Sequence, residues 1–411
     1  MRQWLLLSAL LLLASACSAG LGAPMDESRA RLAALAAQQP PPAGTREVVL
    51  AVQRDHALHL LDAATLDPLG RFAIHNLGHR VSARADGRLL FLAQASTPDG
   101  NGCCALFTLD LAAREMCRLL EPVADSAPSP DGRWLFAQRG NMGVGVYDAQ
   151  TLAPAGTIAA PGMYALYPSP DDHWLLGITN WQGPSLDVMD VESQILVRRL
   201  PIPMSDAAVG NAFGAGAWLG ERFYLYGHDG RQASLRAVSA ETTALGTGQP
   251  IASAVADLAA SGLPSAPTLV AGGERLFLYV PLAPWLMFDP RREGSGIVRA
   301  GLFVLDPATS QVTAHLAPSV DFAQVVASRD GRRLYGLAAG PPVRLLALDA
   351  ESGALLAERR LADDVWSVAL ATLPEELLPY GDVQPSGCAR PEPTPFPTPP
   401  LPPTAPAARP S

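Results

Sequence analysis

One short pattern recurs along most of this chain: an Asp-Gly turn, an apolar strand, and a second strand that ends in aspartate. The clearest copy is Ser129-Pro130-Asp131-Gly132-Arg133-Trp134-Leu135-Phe136, closing on Val144-Gly145-Val146-Tyr147-Asp148. Another is Ser328-Arg329-Asp330-Gly331-Arg332-Arg333-Leu334-Tyr335, closing on Leu345-Leu346-Ala347-Leu348-Asp349. Four short strands repeated every ~40–50 residues specify a propeller blade, a sheet stabilised by stacking on its neighbours around a central channel. The chain has 411 residues and is 48% hydrophobic, enough for one large ring.

The pattern starts out of phase. Val48–Val52, Leu58–Asp62 and Leu69–Ile74 read as the second, third and fourth strands of a blade that lacks its first. Blade two turns at Asp86-Gly87, blade three at Asp131-Gly132 and blade four at Asp171-Asp172. Blade five is degenerate, with Leu219-Gly220; blade six turns at Gly272-Gly273 and blade seven at Asp330-Gly331. After blade seven, Val365-Trp366-Ser367-Val368-Ala369-Leu370 reads as a first strand with nothing behind it. It completes blade one. Closure by strands from both ends removes two free sheet edges. The fold class expected is therefore all-β, a seven-bladed β-propeller over residues 46–375 with N-/C-terminal strand closure of blade one.

The ends are different material. Arg2 followed by Leu5–Leu13 reads as a secretory signal over residues 1–17, its apolar run too short to span a bilayer. Ala14-Ser15-Ala16-Cys17 resembles a bacterial lipobox, which implies diacylation of Cys17; the same residues also fit a simple A-x-A cleavage site. Residues 18–45 read as a tether, with a short amphipathic stretch ended by Pro40-Pro41-Pro42. Residues 376–411 read as a proline-rich disordered tail, with runs such as Pro391-Glu392-Pro393-Thr394-Pro395 favouring an extended chain.

The blade unit, with its Asp-Gly turn and strand-terminal aspartate, resembles the YVTN-type β-propeller repeats of exported prokaryotic proteins. It is also similar to the repeats of methylamine-dehydrogenase heavy chains and lactonase-like propellers. The resemblance implies the fold and an extracytoplasmic location. It implies no catalytic residue, because the residues that carry it make turns.

Composition narrows the chemistry. All 30 basic residues are arginine, so no Schiff base, pyridoxal phosphate linkage or P-loop lysine is available. A net charge of −9 argues against a general nucleic-acid partner. No cofactor, metal or catalytic constellation is assigned. The longest insertions fall between fourth and first strands or between second and third strands, on one face of a ring. His75, His79, Tyr164, Trp181, His228, Trp285 and Phe322 lie in or beside them and form the candidate binding face. The expected partners are an envelope protein, peptide or polysaccharide, together with the membrane through the lipid anchor. The alternative is a lactonase-like hydrolase or a subunit of an exported dehydrogenase, for which Asp321, Asp363 and Asp364 are the acids nearest the channel mouth. Cys103, Cys104, Cys117 and Cys388 allow three full pairings. A vicinal Cys103–Cys104 bond that leaves Cys117 with Cys388, one bridge from Cys103 or Cys104 to either Cys117 or the tail at Cys388, and free buried thiols all stay open.

Overall fold

The computed structural model describes residues 42–387, without 54–55, 75–79, 95–104, 121–122, 124, 180–182, 203–215, 229–232, 240–241, 243–244, 246–248, 252–267, 280–300, 339, 341 and 362–364. The described residues form seven small sheets, and their innermost strands touch in an unbroken circle. This is the seven-bladed propeller expected from the repeat.

From the axis outward, blade two is Arg80–Ala83, Leu89–Gln94, Ala105–Asp110 and Glu115–Leu120. Blade three is Asp125–Pro128, Trp134–Gln138, Val144–Asp148 and Pro154–Ile158; blade four is Met163–Pro168, Trp174–Thr179, Ser185–Asp190 and Ile195–Pro201. Blade five is Gly216–Leu219, Arg222–His228, Ala233–Val238 and Gln249–Pro250. Blade six is Thr268–Gly272, Arg275–Tyr279, Leu302–Leu305 and Val312–Leu316; blade seven is Phe322–Ala327, Arg333–Ala338, Arg344–Asp349 and Leu355–Arg360. Blade one combines both ends of the ring: Val365–Pro374 innermost, then Thr45–Gln53, Ala57–Asp62 and Pro68–Ala73. Its closing pair is antiparallel, with Ala51 opposite Val368 and Val49 opposite Leu370.

Each blade is buried on both sides, so its middle strands read as continuous apolar runs. Alternate residues serve alternate interfaces. Leu135 and Ala137 pack toward blade two, whereas Phe136 packs toward blade four. Seven hydrophobic clusters result, one for each contact between neighbouring blades. The cluster joining blades seven and one, with Tyr335 and Leu337 against Val49 and Ala51, seals the ring. Arginines add a repeated link. Arg84 donates to the Ala149 carbonyl at 3.2 Å, Arg275 to Ala350 at 3.1 Å and Arg333 to Ala63 at 3.3 Å. In each case a blade reaches the residue just after its neighbour's strand-terminal aspartate.

Those aspartates are turn makers. Asp148 accepts from the amides of Gln150 and Thr151 and from the Thr151 hydroxyl, at 3.0, 2.6 and 2.8 Å. Asp62, Asp190, Asp306 and Asp349 accept bonds in the same way from residues two or three further on. Four residues after the aspartate the backbone turns left-handed, at Leu66, Arg114, Leu152, Gln194, Ser310 and Gly353. The Asp-Gly turns are equally regular. The Ser129 hydroxyl donates to Asp131 at 2.6 Å and accepts from the Trp134 amide at 2.8 Å, while Gly132 sits at φ +73°. Blade four lacks the glycine, and Asp172 itself takes φ +60°.

The chain stays on the ring past residue 375, where the tail was expected to begin. Glu375–Leu377 forms a single 3-10 turn, Asp382–Val383 adds a parallel fifth strand to blade one, and Ser386–Gly387 adds one to blade two. Leu378 is buried in the core between blades one and two, and Arg71 pairs with both Asp382 oxygens at 2.8 Å. Gly70 is required beneath this strap, because a Cβ there would stand 2.6 Å from the Pro379 ring.

Candidate binding face

Strand direction divides the ring into two faces. Second strands rise from the Asp-Gly turns, third strands descend to the aspartate turns, and both turn types share the lower face. The opposite face holds the ends of the second strands and the starts of the first: Gln53, Gln138, Thr179, His228 and Tyr279, with Arg80, Asp125, Thr268 and Phe322. The segments 202–215, 251–267 and 280–301 leave and rejoin described strands on this face.

The strongest polar feature here is an ion pair between inner strands. Arg80 of blade two donates to Asp125 of blade three at 2.6 Å. The Asp125 side chain is 3% exposed and the Arg80 side chain 47% exposed, so a buried anion is held by a half-exposed cation. The other Asp125 oxygen accepts from the Ser126 amide at 2.9 Å, and the Leu166 amide of blade four approaches at 3.4 Å. One carboxylate thus ties three blades together. Its charge holds the Arg80 guanidinium more firmly protonated, against the opposing effect of burial.

Tyr279, buried at the top of blade six, is hydrogen-bonded by the Val325 backbone and the Thr268 side chain. Burial pushes its phenol up to about 12, so it remains neutral and a donor at ordinary pH. Gln324 spans the next interface, donating to the Val368 carbonyl and accepting from the Val368 amide, both at 2.8 Å. Against these satisfied groups, four buried atoms among the described residues have no hydrogen-bond partner: Gln138 Oε1, Ser185 Oγ, Tyr226 OH and Ser367 Oγ. All four lie in the half of the ring away from the turns. A buried polar group left without a partner costs about 1–3 kcal/mol. On the lower face the buried Ser129 and Ser328 have both their bonds.

The residues singled out from sequence are distributed as follows. His75, His79, Trp181 and Trp285 lie outside the described residues, as do Asp363, Asp364, Cys17, Cys103, Cys104 and Cys388. Tyr164 lies near the start of the first strand of blade four, and His228 ends the second strand of blade five. Phe322 begins the first strand of blade seven but is 2% exposed, packed with Phe277 and Tyr279. It supports the face from within. Strand alternation turned its ring into the core, with Gly336 leaving room for it. Asp321 precedes it and is partly exposed. Cys117 lies on the fourth strand of blade two and is disulfide-bonded. Arg80 and Asp125 were not singled out from sequence. Among the described residues, no three His, Cys, Asp or Glu side chains gather as a metal site.

No family model and no curated protein matches the sequence. Solved structures match the fold. The "putative 6-phosphogluconolactonase" of Bacteroides fragilis NCTC 9343 aligns with TM-score 0.56 and 9% identity, over 81% of this chain and 100% of that one. The Kuenenia stuttgartiensis hydrazine synthase aligns with TM-score 0.51 and 14% identity, over 76% and 91%. The dihydro-heme d1 dehydrogenase NirN, in complex with DHE, aligns with TM-score 0.49 and 16% identity, over 84% and 79%. At these identities the two matches above a TM-score of 0.5 speak of architecture alone, and the seven sheets make the chain a seven-bladed β-propeller.

Proposed function

We propose that this chain is an exported binding module, anchored to the membrane through Cys17, that takes a ligand of the cell envelope on the face opposite its turns. One observation carries the reading. Among the described residues, the buried serines of the turn face are bonded into repeating motifs, whereas the opposite half carries the Arg80–Asp125 pair and four buried polar atoms without partners. Rigid strands there support long connecting segments, an arrangement suited to recognition. The disulfide at Cys117 agrees with an oxidising compartment outside the cytoplasm. Within this reading the ring does no chemistry of its own.

Two measurements test it. Intact mass of the full chain from membranes is expected to begin at a diacylated Cys17, and a Cys17→Ser chain is expected to leave the detergent phase. A soluble ring beginning after Cys17 is then offered to wall polysaccharide, envelope peptides and detergent-solubilised envelope proteins. Retention is expected to fall at least tenfold in Arg80→Glu and to stay unchanged in the turn-face variant Asp86→Asn. The opposite ranking would place recognition on the wrong face. Metal-dependent lactone hydrolysis lost in Asp321→Asn would instead support the enzyme alternative.

A further inference from the structure

We propose that Cys117 is bonded to Cys388, and that this disulfide makes the ring a covalently closed loop. Cys117 stands opposite Thr108 on one side of its strand. On the other side Ser386–Gly387 runs parallel, with Ser386 opposite Glu115 and Gly387 opposite Met116. The Ser386 amide donates to the Arg114 carbonyl at 2.9 Å, which fixes that register. Parallel strands advance together, so the next pair in register is Cys117 with Cys388. Neighbouring strands lie about 4.8 Å apart. That is inside the Cα separation of roughly 4.4–6.8 Å that a disulfide spans.

The other cysteines are badly placed for Cys117. Ala105, which Cys104 directly precedes, is already three residues along the strand from Thr108, roughly 10 Å away. A bond to Cys103 or Cys104 would need the chain to double back along its own sheet.

The consequence follows from the path of the chain. From Cys117 it traverses blades three to seven, supplies the innermost strand of blade one, and crosses the turn face to the rim of blade two. Along this strap Glu375 meets Arg46 at 2.9 Å, Leu378 is buried, and Asp382 pairs with Arg71. Bonding its end to Cys117 encloses the axis in a covalent circuit. Blade one, otherwise sealed by non-covalent strand pairing, then cannot open without a bond breaking. The bond forms by exchange: two cysteine thiols give two protons and two electrons to the disulfide of an exported thiol oxidoreductase, which leaves as a dithiol.

Tryptic mapping of the full exported chain without reductant distinguishes the pairings. Cys117 lies in the peptide of residues 115–118, and Cys103 with Cys104 in 89–114. Cys388 lies in 361–411, because proline follows both Arg390 and Arg409. A linked species of 115–118 with 361–411 is expected, and it separates on reduction. Cys117→Ser and Cys388→Ser are each expected to lower the melting temperature by about 5–10 °C, with no further loss in the double variant. A link from 115–118 to 89–114, or free thiols at Cys117 and Cys388 in the native chain, would overturn the assignment. So would additive losses in the double variant.

Discussion

The two faces of this ring are built from the same strands and obey different rules. On the turn face most blades repeat a small set of hydrogen bonds, and neighbouring turns touch. A Cβ at Gly132 would lie 2.9 Å from the Cβ of Ala85 in the adjoining turn. Glycine is needed there twice over, for its positive φ and for its lack of a side chain. On the opposite face Gly140 and Gly183 also have positive φ, but nothing lies within 4 Å of where their Cβ would be. One face repeats a structural lattice over most of its blades; the described residues of the other are held by individual pairs such as Arg80–Asp125 and Gln324–Val368. Under the binding role proposed above, recognition falls to the second.

The sharpest test substitutes glycine on both faces. Gly87→Ala would drive a Cβ into the Thr372 carbonyl at φ +66°, and is expected to cost about 3 kcal/mol by denaturant unfolding. Gly140→Ala, at φ +59° in open space, is expected to cost about 1 kcal/mol. Equal losses would erase the distinction. Arg80→Met probes the irregular face, leaving Asp125 buried without its cation. A loss of about 2 kcal/mol is expected, below the full range for a buried pair because Arg80 is half-exposed.

Smaller effects address the turn lattice. Asp148→Ala is expected to cost about 1 kcal/mol at pH 7, through three lost bonds at an exposed turn. The Thr151 amide, then its hydroxyl, hold the Asp148 carboxyl below its ordinary range. Its contribution is therefore complete above the unfolded value and disappears as pH falls through the lower folded one, so variant and parent converge in acid. Asp172 has the opposite sign. Burial, then the nearby Asp131 and Asp171, push it up to about 6, against the bond it accepts from the Asp131 amide. The folded state then holds its proton longer than the unfolded chain, and stability declines as pH rises from ~4 to ~6. Asp172→Asn keeps the acceptor and tolerates the left-handed backbone. It is expected to raise the melting temperature by about 1–2 °C at pH 7 and not at pH 4.

What the sequence disclosed follows the same division. The Asp-Gly turns, the strand-terminal aspartates and the first strand around Val368 are local or periodic, so they could be recognised one blade at a time. Arg80 and Asp125 are 45 residues apart and meet only because two inner strands converge on an axis. No spacing rule signals such a pair. The strap from Glu375 to Gly387 was missed for another reason: two-residue strands carry no periodicity, and Leu378 and Val383 are its apolar anchors. Phe322 showed the limit of reading aromatics near loops, since a shift of one strand position exchanges solvent for core.

The direction in which the first strand enters its sheet has a mechanical consequence. Thr45 sits opposite Pro374, beside Gly87, so the first described strand enters the ring from below. Under the anchorage proposed at Cys17, tension along the chain before Thr45 would act on the regular underside and turn the irregular rim outward, like a dish on a mast. A ligand arriving from outside would meet the variable connections first.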